Sequence, residues 1–230
     1  NYAIFIQPNI DANALQFMMS KEPAKTLTVR DSPGTLHLIP RTGSKRTQLG
    51  IKIPAQGPSE TDVQFCNAYE DGGNVIIDAV LSEASSTAKS LSWPWGSSLE
   101  EYQSAASKKS LWRYTVDAIS GLVTKTQLLG THCFFGTVNP AVSSQKHKYV
   151  YMAVGALGSE VAPPQGIARL DCETGQTSSW MPDPREFCGE PMYAQRQGLE
   201  NEEDGGYILS VLYNGKAKQN ELVVLEASNI

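Results

Sequence analysis

The sequence predicts an all-β protein of consecutive antiparallel hairpins, and three observations carry that prediction. Nearly every apolar stretch is strand-sized and rich in Val, Ile, Leu, Tyr and Phe, which suit a pleated and buried surface. Turn signals of the Asp-Gly-Gly and Asp-x-x-Ser/Thr-Gly kinds separate these stretches. Two hairpins are echoed along the chain. The strand, turn and strand of residues 111–129, turning at Asp117-Ala118-Ile119-Ser120-Gly121, return at 167–180 around Asp171-Cys172-Glu173-Thr174-Gly175. Glu70-Asp71-Gly72-Gly73 and its following strand return as Glu203-Asp204-Gly205-Gly206. Hairpins recurring at about 40 to 50 residues are what four-stranded blades leave in a sequence.

Taken in order, residues 2–7 are an apolar strand ended by Pro8, and 11–19 carry the one helical pattern before Pro23. Residues 35–40 and 48–54 read as two strands around the basic turn 41–45. Residues 63–69 and 75–80 form a hairpin, with Asp71-Gly72-Gly73 supplying the positive φ of its turn. The Ser-rich stretch 85–107 holds Trp93-Pro94-Trp95-Gly96 and a helix candidate at 99–106, and reads as a long excursion between strands. From Leu111 onward the strand rhythm is regular.

Composition excludes several functions. The 230 residues suffice for one sizeable domain, and the net charge is −5 at pH 7. No basic run exceeds the pair Lys108-Lys109, which argues against nucleic acid or an anionic membrane surface as main partner. No apolar run approaches the roughly 20 residues of a membrane span. The four cysteines, Cys66, Cys133, Cys172 and Cys188, lack any C-x-x-C pair, so neither zinc nor a disulfide framework is indicated and a reducing compartment fits. No signal peptide is expected, because residues 1–6 already read as a strand; without an initiating Met the sequence reads as part of a longer one. P-loop, G-x-G-x-x-G and G-x-S-x-G patterns are absent, and Glu200, Glu202, Glu203 and Asp204 read as a solvated acidic turn.

The hairpin also carries a resemblance. Val63-Gln64-Phe65-Cys66-Asn67-Ala68-Tyr69-Glu70, followed by an acidic Gly-rich turn, is similar to the F-H-x-x-N-A-[YW]-E hairpin that bears the third metal ligand of the carotenoid cleavage oxygenase family. Further segments match in order: Asn1-Tyr2-Ala3-Ile4-Phe5, Leu38-Ile39-Pro40-Arg41, Val138-Asn139-Pro140 with Lys148-Tyr149-Val150-Tyr151, Gly189-Glu190-Pro191-Met192-Tyr193, Glu203-Asp204-Gly205, and the strand 222–228. The resemblance implies a seven-bladed β-propeller, of which residues 1–230 are a partial domain covering several consecutive blades. It also implies Fe(II) held by four His, and oxidative cleavage by O2 of a conjugated C=C bond in a carotenoid or apocarotenoid, giving two carbonyl products. An apolar tunnel would hold the polyene. The protein would work inside the cell, in the cytoplasm or a plastid, with peripheral membrane contact only through parts outside this chain.

Residue by residue, the resemblance places Gln64 at a metal-ligand position and Glu190 at a carboxylate that orients a ligand imidazole. Phe134 stands where a second such Glu is expected, and the second and fourth ligand His fall outside residues 1–230. No catalytic residue is assigned. An amide oxygen replaces imidazole poorly on Fe(II). Gln64 and Phe134 therefore also support a rival reading, a propeller without iron serving as an apocarotenoid-binding or interaction module. The three histidines match no ligand position: His37 reads as a half-buried strand residue, His132 as a loop or strand-edge residue that could be argued as a displaced ligand, and His147, between two lysines, as solvated.

Overall fold

A computed structural model describes residues 1–20, 26–30, 32–41, 49–54, 59–83, 98–155 and 161–230. Four antiparallel sheets follow one another along the chain. The first joins β1 (Tyr2–Gln7), β4 (Thr35–Pro40) and β5 (Leu49–Lys52). The second runs β6 (Ser59–Asp71), β7 (Asn74–Ser82), β8 (Lys109–Asp117), β9 (Val123–Leu129), and the third β10 (Cys133–Thr137), β11 (Tyr149–Val154), β12 (Gly166–Asp171), β13 (Thr177–Trp180). In the last, β14 (Glu186–Cys188) and β15 (Met192–Gln195) both pair with one side of β16 (Gly206–Asn214), whose other side takes β17 (Gln219–Glu226). A small hairpin of β2 (Ile10–Ala12) and β3 (Leu27–Val29) leaves the first sheet, with the short helix α1 (Ala14–Ser20) between its strands.

Alternation within each strand stacks these sheets face to face. Val75, Ile77, Ala79 and Leu81 of β7 pack on Leu36, Leu38 and Ile51 of the first sheet and on Ile53 just beyond β5. Val80 and Leu111 turn the other way, onto Val150, Met152 and Val154. Tyr151 and Ala153, the alternate residues of β11, meet Tyr193, Ile208 and Leu212 of the last sheet. A strand covered on both faces has no polar side to show, so its sequence is a continuous apolar run rather than an alternation. The far face of the last sheet exposes Met192, Val211, Tyr213, Leu222 and Val224. No further sheet covers it among the described residues, and an apolar patch of this kind is a docking surface for another element.

The turns explain most of the sequence echoes. Gly72 and Gly73, at φ 57° and 89°, make the two-residue turn between β6 and β7. Asp117 Oδ1 accepts from the Ile119 and Ser120 N–H groups, and Asp171 Oδ1 accepts from Glu173 and Thr174, each turn closing on a left-handed glycine, Gly121 or Gly175. Both join the third and fourth strands of a sheet, as the repeat predicts. The other echo shares its place, between the first strands of a sheet and the next, but not its turn. Residues 196–205 form a longer loop, because Glu203 Oε1 accepts the backbone N–H groups of Lys148 and Tyr149, at 2.7 and 2.8 Å, and Asp204 pairs with Arg169. Glu203 and Asp204 are therefore half-buried partners of the third sheet, not members of a solvated turn.

The helix expected over 11–19 starts later than its pattern, since Ile10–Ala12 is captured by β3 and Asn13 caps α1 by accepting from Gln16 N. The candidate at 99–106 is α2 (Leu99–Ala105), capped by Ser98, which accepts from Glu101 N. Trp93 and Trp95 lie outside the described residues, as does most of the basic turn 41–45. No helix among the described residues is long and apolar enough to cross a membrane.

Candidate functional site

The leading strands of the last three sheets are each interrupted. In β6 the register slips between Phe65 and Asn67, and in β10 between Phe134 and Thr137. The corresponding edge of the last sheet is broken outright: β14 stops at Cys188, β15 resumes at Met192, and Gly189-Glu190-Pro191 fills the gap. Pro191 has no N–H to give a ladder, which makes it a natural place for the break. Such irregularities twist a strand and re-aim its side chains, and they recur beside functional sites.

At these points β6 and β10 come into direct contact. A Cβ on Gly136 would stand 2.2 Å from Cys66 Sγ, so only glycine fits the crossing. Gln64, half-buried on β6, accepts the Phe135 N–H through Oε1 at 2.8 Å, and Phe135 itself holds φ at +53°. The Phe134 ring is buried, with the His132 ring centroid 4.5 Å away at a steep angle and Lys109 Nζ 5.4 Å from its own centroid. Glu190 is exposed on the break between β14 and β15.

His132 is buried in the turn before β10 and cannot serve there as a displaced ligand. Its Nδ1 accepts the Lys109 backbone N–H at 2.8 Å, so the proton of the neutral ring sits on Nε2, which has no acceptor among the described residues. A nitrogen that carries a proton offers no lone pair to a metal. Burial lowers the ring's pKa to about 4, which has a measurable consequence. An unfolded His titrates near 6.5, so between about pH 6.5 and 4 the unfolded chain takes up a proton that the folded one refuses. Stability should fall across that window by on the order of 3 kcal/mol from this residue. Urea unfolding at pH 6.5 and 4.5 checks it: His132→Asn should flatten the slope, and an unchanged slope would show the ring to be protonated when folded.

Behind β6 lies a second cluster that the sequence reading missed. Asp78 on β7 is fully buried and stands opposite Asn67. Arg113 grips both its oxygens at 2.7 Å, and His147 Nε2 lies 2.9 Å from Oδ2, off the ideal hydrogen-bond direction. Burial pushes the Asp78 carboxyl up, but the hydrogen bonds and charges of Arg113 and His147 bring it below its usual value. Asn67 is held by four contacts. Its Nδ2 reaches Gln145 O, Val142 O and His147 Nδ1, and its Oδ1 accepts Ser144 N. That arrangement makes His147 Nδ1 an acceptor and turns its Nε2 proton toward Asp78. His147 is thus buried rather than solvated, although both flanking lysines remain at least partly exposed.

Asp78, His147 and Cys172 bring their ligand atoms within 4.8 Å of one another, a set that could in principle take a metal ion. Its chemistry argues otherwise: Arg113 already occupies both Asp78 oxygens, and burial pushes the Cys172 thiol up to about 12, leaving it protonated. The cluster works as an ion-pair lock that ties the Asn67-Ala68-Tyr69-Glu70 stretch to β7, β8 and the loop before β11. His37 is the half-buried strand residue expected, with Nε2 3.1 Å from Gln7 Oε1. Between β1 and β6 an open pocket of about 460 Å³ is lined by apolar and polar groups alike, Tyr2, Ile4, Phe65, Ala68, Tyr69 and Val75 together with Arg41, Asn67, Glu70 and Ser144.

Consecutive four-stranded antiparallel sheets stacked face to face, with irregular leading strands in contact, define a β-propeller. Comparison with known proteins agrees and goes further. The family model described as RPE65, retinal pigment epithelial membrane protein, matches residues 1–230, and the chain belongs to that family. It is 28% identical over 236 residues to the apocarotenoid-15,15'-oxygenase of Synechocystis, covering all of this chain and 45% of that protein. The zeaxanthin 7,8(7',8')-cleavage dioxygenase of Crocus sativus is 24% identical over 177 residues, covering 74% of this chain and 44% of its own length. Among solved structures, a cobalt-substituted Synechocystis apocarotenoid oxygenase matches with a TM-score of 0.82 and 26% identity, over 100% of this chain and 46% of that one. Those structures are seven-bladed propellers, and the chain spans about half their length.

Proposed function

We propose that the protein carrying this chain cleaves a conjugated C=C bond of a carotenoid or apocarotenoid, placing one atom of O2 on each of two carbonyl products. The observation that supports this best is that all 230 residues align, in sequence and in fold, with one apocarotenoid oxygenase. The contribution of this chain is positional. Stacked sheets with both faces buried make a stiff wall, and a rigid apolar polyene is held mainly by surface removed from water, at roughly 25 cal/mol per Å². Fe(II) is the metal this reading implies, with Glu190 orienting a ligand imidazole. The residues at the other two assigned positions do not match an imidazole-bound iron, since Gln64 has its oxygen engaged and Phe134 offers no acceptor. The proposed place of action is inside the cell, a plastid being favoured by chloroplastic relatives such as carotenoid cleavage dioxygenase 7 of Oryza sativa.

The same two residues favour a second reading, a propeller that binds an apocarotenoid without turning it over. Iron per protein by elemental analysis and aldehyde products by chromatography, both on the full-length protein, separate the two. Stoichiometric iron with aldehyde formation supports the oxygenase. Polyene binding without iron or product supports the binding module. Failure to bind any polyene would remove both.

A further inference from the structure

The geometry points to Gln64 as a clasp between neighbouring blades rather than a metal ligand: its amide oxygen completes the broken β10 strand instead of facing a cation. The inference rests on the family reading only in taking position 64 as a ligand position, and its physical basis lies in three local facts.

The first is the bulge itself. The β10–β11 register passes from Phe134 opposite Ala153 to Thr137 opposite Tyr151, so Phe135 and Gly136 have no ladder partner. The Phe135 N–H, in a part-buried place, needs an acceptor from elsewhere, because a buried unpaired donor costs about 1 to 3 kcal/mol. Gln64 Oε1 is that acceptor, across a sequence separation of 71 residues.

The second fact concerns the other end of the amide. The NH2 end has two donors and no lone pair, so a cation could meet only the second lone pair of an oxygen already turned to the Phe135 N–H, a neutral donor that suits Fe(II) poorly. Flipping the amide would set NH2 against the Phe135 N–H, two donors face to face. The third is that imidazole could not perform both tasks. A His whose Nδ1 accepted the Phe135 N–H would carry its proton on Nε2, as His132 does. A His ligating through Nε2 would need an acceptor for Nδ1–H, and the Phe134 ring supplies none. A carboxylate could do both, one oxygen on the N–H and the other toward a divalent cation.

The test uses the full-length protein with Gln64→Leu, Gln64→Glu and Gln64→His, read by melting temperature in chelator and by uptake of Co(II), the probe metal, followed by visible absorption. The clasp predicts that Gln64→Leu melts several degrees lower and takes up as much Co(II) as the wild type. Gln64→Glu should keep the wild-type melting temperature and bind Co(II) at least tenfold more tightly. Gln64→His should melt lower and gain little metal. Gln64→Leu that loses Co(II) at unchanged melting temperature would make Gln64 a ligand and overturn the inference, as would three variants that melt like the wild type. If Gln64→Leu fails to fold, the Gln64→His result decides: a lower melting temperature with Co(II) uptake near the wild type upholds the clasp, and Co(II) bound at least tenfold more tightly at unchanged melting temperature overturns it. Aldehyde production enters none of these readouts, so loss of the oxygenase reading would leave them standing.

Discussion

Replacing Asp78 by Ala should cost about 3 to 5 kcal/mol of stability, enough to bring a domain at the low end of the usual 5 to 15 kcal/mol close to its unfolding midpoint. The cause is the partner left behind more than the bond removed. Arg113 is half-buried with a guanidinium aimed at a carboxylate that is completely excluded from water, and it has no second carboxylate at comparable distance among the described residues. His147 loses its acceptor at the same time, and Asn67 loses the neighbour that fixes its ring contact. Asp78→Asn should fall in between, since it keeps the shape and one acceptor. The linkage has a definite sign: because the folded carboxyl titrates below its unfolded value, its stabilisation is present above about pH 4 and is lost as pH falls through the lower folded value. Chemical denaturation at pH 7 measures the loss; a change under 1 kcal/mol for Asp78→Ala would mean the lock carries no stability.

Gly136→Ala should cost about 1 to 3 kcal/mol, and more if β10 must withdraw from β6. Gly136 is outside the left-handed region, so alanine brings no backbone strain and the whole effect is steric. The new methyl would sit 2.2 Å from Cys66 Sγ but 3.3 Å from Cys66 Cβ. Removing the sulfur should therefore relieve most of the damage. In a double-mutant cycle, Cys66→Ala with Gly136→Ala should be more stable than the sum of the single changes predicts, a coupling of the kind expected only for residues in contact. Strict additivity in urea unfolding would show that the two strands are not apposed as described.

What the sequence reveals and hides follows from how each residue is used. The hairpin 63–80 is legible because its turn demands two left-handed residues and its second strand is apolar on both faces. The Asp117 and Asp171 turns are legible for the same local reason. Position 64 and position 190 are legible only through resemblance, since nothing local to Gln64 or Glu190 announces a site. The buried lock is hidden because its members come from β6, β7, β8 and the loop at 143–147, brought together only by stacking. Two signals could have found it: Asp78 is the one charge inside the apolar run 75–81, and Asn67 sits in a strand where asparagine is disfavoured. A buried carboxylate requires a cation, and the flanking lysines misdirected the reading of His147, whose ring turns inward while its neighbours face out. The clasp is hidden for a further reason, because it depends on a bulge that no pattern of apolar residues encodes.

The most direct test of the account is amide hydrogen exchange at Phe135 in the intact protein, since the clasp joins the two leading strands through that one N–H. The account predicts slow exchange in the wild type and a large acceleration confined to the β10 bulge in Gln64→Leu. Rapid exchange at Phe135 already in the wild type, at the rate of an exposed loop, would contradict it.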